Sequence, residues 1–236
     1  MSYEKDFQKF LSLTNEKEVL LEKIKEKIKE RKVSSLLDIG AGDGLLSLPL
    51  SNEVKRYLAI EESDYFTEEL ERKGLKVKKG SFPLDIEDTF DMVLVSHSHP
   101  DSGYEQFISS AYNLLALNGC LLLITYKDRD SEWVNLLREV GEEGVEMERV
   151  GYQELSKYMQ TLGRVNIEKE ISIVTAPTAE ELFNALSFVF SDGDEEKKER
   201  FSLHKERLCA IFKLRYNTGK VFSFPFQHFF ISLVDF

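Results

Sequence analysis

"LLDIGAGDG", residues 36–44, is the stretch whose reading decides the fold. A short apolar run ends at Ile39. Gly40, Ala41 and Gly42 then form a turn whose missing side chains let a ligand approach the backbone, and a helix is expected to begin near Asp43. A dinucleotide fingerprint of the form G-x-G-x-x-G asks for glycine or a close substitute at position 45, where this chain has Leu45; its third glycine stands at 44. Charge separates the candidate ligands further. A pyrophosphate at the helix N-terminus would face Asp43 and lie near Asp38, two carboxylates that repel it, whereas an amino-acid ammonium and a sulfonium are favoured there. Glu61 ends the next apolar run, "YLAIEES". It lies close to the roughly 20-residue offset from the glycine turn at which a carboxylate accepts hydrogen bonds from a ribose diol. An adenosine ligand carrying positive charge fits both ends.

The segments on either side extend the pattern. After the glycine loop come "VKRYLAIE", a helical "SDYFTEELERKG", "LKVKKG", the strand-like "FDMVLVSH", a helical "SGYEQFISSAYNLLALNG" ending in Asn-Gly, the strand-like "CLLLITY" and a helical "SEWVNLLREVGEEG". Strands alternating with helices predict crossover units and a parallel sheet. Before the loop, Leu20, Leu21, Ile24 and Ile28 share one helical face, with Asn15 and Glu18 resembling a capping box. A shorter helix ahead of it presents Tyr3, Phe7, Phe10 and Leu11. Beyond about residue 145 a helix, a strand-like "VNIEKEISIVTA", two helical stretches (the second from Glu195 to Tyr216) and "KVFSFPFQHFFISLVDF" read as two strands joined through a helical insertion. The polar "SDGDEEKKER" reads as a surface connection within it.

A chain of 236 residues can bury a substantial core and fits one α/β domain, or one with an insertion, better than two full domains; a single domain is expected. Its net charge of -11 works against docking on a phosphate backbone, so no nucleic acid is expected as partner and a small or cationic substrate is easier to accommodate. The first residues, "MSYEKDFQKF", lack a signal-peptide pattern, and the longest apolar run, Cys120 to Thr125, is too short to span a bilayer. The expectation is a cytoplasmic protein without membrane association. Cys120 and Cys209 form neither a disulfide framework nor a cysteine-based metal cage.

On "LLDIGAGDG", "YLAIEES", "FDMVLVSHS" and "NLLALNGCLLLITY", which together cover residues 33–126 in order, the sequence resembles the class I S-adenosylmethionine-dependent methyltransferases. The resemblance implies a doubly wound, mainly parallel seven-stranded Rossmann-like sheet with an antiparallel last strand and a helical insertion. It divides the chain into N-terminal helices covering the site (1–32), a cofactor-binding core (33–176), an insertion serving as substrate cover (177–217) and a final core strand (218–236). It implies S-adenosylmethionine as cofactor and a small-molecule methyl acceptor, methylated on nitrogen or oxygen. Gly40, Ala41 and Gly42 would line the cofactor, Asp38 would hold its amino-acid end and Glu61 its ribose hydroxyls. At the adenine end the family often has an acidic residue, whereas this chain offers Ser81, as a polar contact, and Phe82, either packing on the ring or belonging to the core. A cofactor-binding accessory protein without turnover is the non-enzymatic alternative.

"HSHPD", residues 97–101, has a second reading. His97, His99 and Asp101 look like the start of the metallo-β-lactamase motif, the mark of a zinc-dependent hydrolase, since imidazole nitrogen and carboxylate oxygen both suit zinc. Ser102 stands where that motif has its next histidine, and a glycine loop after a long charged helix does not suit that fold. Within the methyltransferase reading, Ser96, His97 and His99 border the transferable methyl group, and either histidine is a candidate general base, because an unperturbed imidazole titrates near pH 6.5. The absence of an Asn-Pro-Pro-Tyr-like tetrapeptide and of a Pro-Cys pair argues again against nucleic-acid substrates. Phe222, Phe224, Phe226, Phe229 and Phe230 read as core on a strand packed by helices in preference to a cation-binding cage.

Overall fold

Every residue of Ser35–Ile39 is buried, as expected of a strand covered on both faces, and this strand is the centre from which the sheet grows in both directions. The computed structural model describes residues 3–100, 102–142, 150–191 and 194–234, with side chains described from Phe7 onward. In chain order the elements are α1 (Tyr3–Leu11), α2 (Glu16–Arg31), β1 (Ser35–Ile39), α3 (Ser47–Ser51), β2 (Arg56–Glu61), α4 (Asp64–Arg72), β3 (Val77–Lys79), β4 (Phe90–Ser96), α5 (Tyr104–Tyr112) and β5 (Leu115–Thr125). They continue with α6 (Glu132–Val140), α7 (Tyr152–Met159), β6 (Arg164–Ala176), α8 (Ala179–Ser191), α9 (Glu195–Ser202), α10 (Lys205–Arg215) and β7 (Phe222–Val234).

The seven strands form one sheet in the order β3-β2-β1-β4-β5-β7-β6. β1 pairs in parallel with both β2 and β4, β3 with β2, and β5 with β4, whereas β7 runs antiparallel to β5. The expected doubly wound, mainly parallel sheet with an antiparallel last strand is therefore the observed one. Its order reverses between β1 and β4, and at such a switch point the carboxyl ends of neighbouring strands open a crevice for ligands. Gly40, Glu62 and His97 follow the ends of β1, β2 and β4.

The described chain divides into two compact units. The first holds β1–β5, α2 from Leu20 onward, α3–α5, α7, and the parts of β6 up to Glu170 and of β7 from His228. One face of its sheet packs Leu37, Ile60, Val93 and Leu123 with Phe107 and Ile108 of α5 and Leu155 of α7. The other packs Leu36, Ala59, Met92 and Leu122 with Leu20, Ile24 and Ile28 of α2 and Leu70 of α4. Alternate residues of each strand thus serve opposite faces, and the apolar stripe read for α2 is its buried face. The polar side of α2 joins β6, where Lys23 and Lys27 both bond Glu168. Hydrogen bonds donated to Glu168 and then to Glu26 hold the Lys23 ammonium above its ordinary range. Burial alone would raise the Glu168 carboxyl, but the bonds from Lys23 and Lys27 outweigh it and set it below its usual value.

The second unit holds α1, α6, α8, α9, α10 and the remaining parts of β6 and β7. The Trp133 ring centroid lies 5.9 Å from that of Phe201, 6.0 Å from Phe224 and 5.9 Å from Phe226, while Phe183 and Phe190 stack on Phe201. Phe224 and Phe226 are thus core here, and Phe229 and Phe230 are core in the other unit. Phe7 and Phe10 of α1 both meet Phe188 of α8. The side chain of Tyr3, predicted on the same face, lies outside the described residues.

Local structure differs from the sequence reading at four places. No helix begins at Asp43: Gly40, Gly42 and Gly44 all take positive φ, so the loop continues and α3 starts only at Ser47. Asn118-Gly119 does not end a helix; it lies inside β5, where Phe90 pairs with Leu115 but Met92 with Cys120, so the extra residues bulge out and Asn118 adopts φ +64°. Asn15 does not cap α2 with its side chain, because its Oδ1 accepts from the Ile173 amide of β6, and Thr14 Oγ1 accepts from Glu16 instead. The helix read from Glu195 to Tyr216 breaks at Leu203 and His204 into α9, which Asp194 caps by accepting from the Lys197 amide, and α10.

Candidate functional site

The glycine loop is fastened from two sides. The Gly40 and Ala41 amides both donate to the Ile60 carbonyl of β2, and the Gly42 amide donates to Glu61 Oε2 at 2.8 Å. Glu61 Oε1 accepts from the Ser63 amide at 2.9 Å, at the start of α4. The predicted ribose-binding carboxylate is thus 6% exposed and held at the loop by two backbone donors. Each carboxylate oxygen has two acceptor sites, so one on each remains for a diol. With a carboxylate seated on the Gly42 amide, the loop offers a poor cradle for phosphate.

Two glycines of the loop are required for different reasons. A Cβ on Gly40 would stand 2.3 Å from Ser98 Cβ and 2.6 Å from Ser98 Oγ, because the loop after β4 presses directly against it. Around Gly42, at φ +57°, a Cβ would meet nothing within 4 Å, which leaves the backbone open to a ligand. At the end of β4, Ser96 Oγ is buried and has no hydrogen-bond partner among the described residues. An open glycine, an acceptor-rich carboxylate and an unsatisfied hydroxyl are the features an adenosyl sulfonium ligand would use, so the chain's residues fit that cofactor.

Asp38 is buried at the end of β1, and its Oδ2 accepts from Ser47 Oγ and Tyr57 OH, both at 2.7 Å. This carboxylate therefore ties α3 and β2 to the loop as well as standing near it. Burial, and next the Asp38 charge, pushes the Tyr57 phenol well above its ordinary 10.0. Asp43 Oδ1 accepts from the Leu45 amide two residues on. Ala41 packs on the core beneath the loop. Ser81 is exposed, and Phe82 is half-buried, meeting Phe107 edge-on at 5.1 Å.

The two histidines after β4 go to different neighbours. His99 is 6% exposed; its Nε2 lies 3.0 Å from Thr125 Oγ1 and its Nδ1 3.3 Å from the Pro100 carbonyl. A carbonyl only accepts, so Nδ1 carries the proton and Thr125, which accepts from the Lys127 amide, donates its hydroxyl to Nε2. Both nitrogens of His99 are thereby committed. His97 takes a left-handed φ of +59° while its amide still donates to the Ile124 carbonyl of β5. Its ring lies 5.2 Å from Tyr126 and 5.3 Å from His228. His228 comes from β7, whose pairing of Phe229 with Thr125 brings it to the end of β5, and it is wholly buried. In the sequence only His204 and His228 remain outside "HSHPD" to complete a metal site, and nothing in local spacing sets His228 beside His97; its one signal is a lone imidazole inside an aromatic strand. Asp101, the third residue of the zinc reading, lies outside the described residues.

Neither a scan of family models nor a sequence comparison with curated proteins finds a match. Solved structures do match. The YcgJ protein of Bacillus subtilis is similar over 91% of this chain and 97% of its own, with a TM-score of 0.60 at 17% identity. A candidate methyltransferase from Bacillus halodurans is similar over 85% of this chain and 91% of its own, with a TM-score of 0.52 at 16% identity. Coclaurine N-methyltransferase, whose structure holds N-methylheliamine and SAH, is similar over 92% of this chain and 70% of its own, with a TM-score of 0.53 at 16% identity. The fold is that of the class I methyltransferases. In the methyltransferase fold of this chain, the predicted Asp38, Gly40, Gly42, Glu61, Ser96 and His97 all sit at the carboxyl ends of β1, β2 and β4 or in the loops that follow them. Among the described residues, no helix is long and apolar enough to cross a membrane.

Proposed function

We propose that the protein is an S-adenosylmethionine-dependent methyltransferase acting on a nitrogen or oxygen of a small molecule. The observation that carries the reading is the bond from the Gly42 amide to Glu61: it puts negative charge on the glycine loop and favours a cationic adenosyl ligand over a phosphorylated one. The SAH in the coclaurine N-methyltransferase structure is in keeping with this choice. S-adenosylmethionine supplies a methyl carbon already activated by its sulfonium, so the protein's work is to orient the acceptor and exclude water. Glu61 would receive the ribose hydroxyls on its remaining acceptor sites, Gly42 would lie along the amino-acid portion, and Ser96 Oγ would donate to the ligand at the lip of β4. Ser81 and Phe82 would border the adenine.

On the acceptor side we favour His97 over His99. The His99 nitrogens are engaged by Thr125 and Pro100, whereas His97 stands at the strand end beside Tyr126 and His228. The segments 1–32 and 177–217 are proposed as substrate cover.

Calorimetric titration with S-adenosylmethionine tests the reading. The wild type is expected to bind, and Glu61→Ala to bind about 100-fold more weakly, the loss of two charge-assisted hydrogen bonds at about 1.5 kcal/mol each. A wild type that does not bind, or a variant with unchanged affinity, overturns it. Acceptor-dependent formation of S-adenosylhomocysteine then distinguishes an enzyme from a binding protein.

A further inference from the structure

His97 and His228 form a pair that the methyltransferase reading does not use in full. His97 directly follows β4 and His228 lies on β7, and they meet because both strands flank the end of β5. Each presents a ring nitrogen within 4.8 Å of the other's. Two imidazole nitrogens bound to one tetrahedral ion at about 2.05 Å stand about 3.3 Å apart. The pair is therefore at most about 1.5 Å from chelating distance. The positions are also held firmly. His228 is wholly buried on β7, a strand with a neighbour on each side, and His97 keeps its ring there from a left-handed backbone that costs a non-glycine residue roughly 1 kcal/mol. A metal needs only one nitrogen of each ring, which leaves the other for the hydrogen bond that fixes the tautomer.

We propose that His97 and His228 form a two-imidazole site for a late first-row divalent metal ion such as Zn²⁺ or Cu²⁺. Neutral imidazole suits these ions and not Mg²⁺ or Ca²⁺, which take oxygen. Two protein ligands leave coordination positions for water or for an oxygen or nitrogen of a bound small molecule. The site is distinct from the zinc reading of "HSHPD", because His99 is committed to Thr125 and Pro100 while His228 takes its place. A nitrogen bound to a metal accepts no proton, so an ion here and a free His97 base exclude each other at any one moment.

The test uses the full chain freed of metal, with Cu²⁺ for electron paramagnetic resonance and Zn²⁺ as competitor. One equivalent of Cu²⁺ is expected to bind with couplings to two imidazole nitrogens and to be displaced by Zn²⁺. Of the chain's four histidines, His99 is engaged with Thr125, and His204 with Glu142 at 2.8 Å. His97→Asn and His228→Asn are each expected to weaken Zn²⁺ binding at least tenfold. No saturable site, a spectrum of oxygen donors only, or undiminished binding in either variant overturns the proposal. If a variant fails to fold, the wild-type spectrum decides. Titration with S-adenosylmethionine on the same metal-free sample reads the cofactor site separately, so the failure of one reading is not mistaken for failure of the other.

Discussion

Gly40 and Ser98 are where the glycine loop and the histidine loop press together, and substituting them singly and jointly measures that contact. In Gly40→Ala the new Cβ would stand 2.3 Å from Ser98 Cβ and 2.6 Å from its Oγ, with Ser98 Cα next at 3.8 Å. Carbon atoms rest at about 3.5–4.0 Å, so two of these three distances demand displacement and the third does not. Overpacking of this kind costs about 1–3 kcal/mol, and the left-handed backbone at φ +76° adds about 1 kcal/mol for any residue with a Cβ. Gly40→Ala is therefore expected to lose about 2–4 kcal/mol. Ser98→Gly removes both clashing atoms and forfeits only the hydrogen bond from Ser98 Oγ to the Ile39 carbonyl, about 1 kcal/mol. The double variant should then lose about 2 kcal/mol, where simple addition gives about 3–5 kcal/mol. Urea unfolding of the four proteins followed by circular dichroism yields the coupling energy, expected at about 1–3 kcal/mol in favour of the double variant. A coupling below about 0.5 kcal/mol would refute the claim that the two loops are in contact through these atoms.

Three further outcomes follow from other parts of the molecule. Thr125→Val removes the hydroxyl that bonds His99 Nε2 and accepts from the Lys127 amide; it should cost about 2–4 kcal/mol in urea unfolding, with Thr125→Ser close to wild type, and equal losses in the two would contradict the hydroxyl's role. Glu168 has a carboxyl held below its ordinary 4.5, so its stabilising contribution is complete above that value and is lost as pH falls through the folded one. The stability difference between wild type and Glu168→Gln should accordingly be constant from pH 7 to about 5 and shrink below about 4.5. Lys23, held above 10.5, adds no slope in this window because its contribution fades only at alkaline pH. Finally, the single tryptophan, Trp133, packs against Phe201, so Phe201→Ala should shift its emission to the red and destabilise by about 3–5 kcal/mol; an unshifted spectrum would contradict the aromatic core.

The parts of the fold set by short-range chemistry were legible before the structure. Apolar runs ending in glycines marked β1, and the buried face of α2 followed its 3.6-residue spacing. Long-range register was not. Whether Asn118-Gly119 ends a helix or bulges from a strand depends on how β5 pairs with β4, and Asn15 left its expected capping role because β6, far along the chain, presented the Ile173 amide. The same limit governed the site. Gly40 and Gly42 follow β1 and Glu61 ends β2, the next strand, at a recognisable offset, so their meeting was expected. His228 is brought to His97 only by the antiparallel return of the last strand, a neighbourhood that local spacing cannot express.

The positive φ of His97 has a consequence for how this position tolerates change. Glycine, asparagine and aspartate enter the left-handed region readily, so they relieve or preserve the backbone while deleting the imidazole. Alanine or a β-branched residue deletes the imidazole and leaves the strain behind. A functional loss in His97→Ala thus mixes two causes, whereas one in His97→Gly or His97→Asn belongs to the side chain.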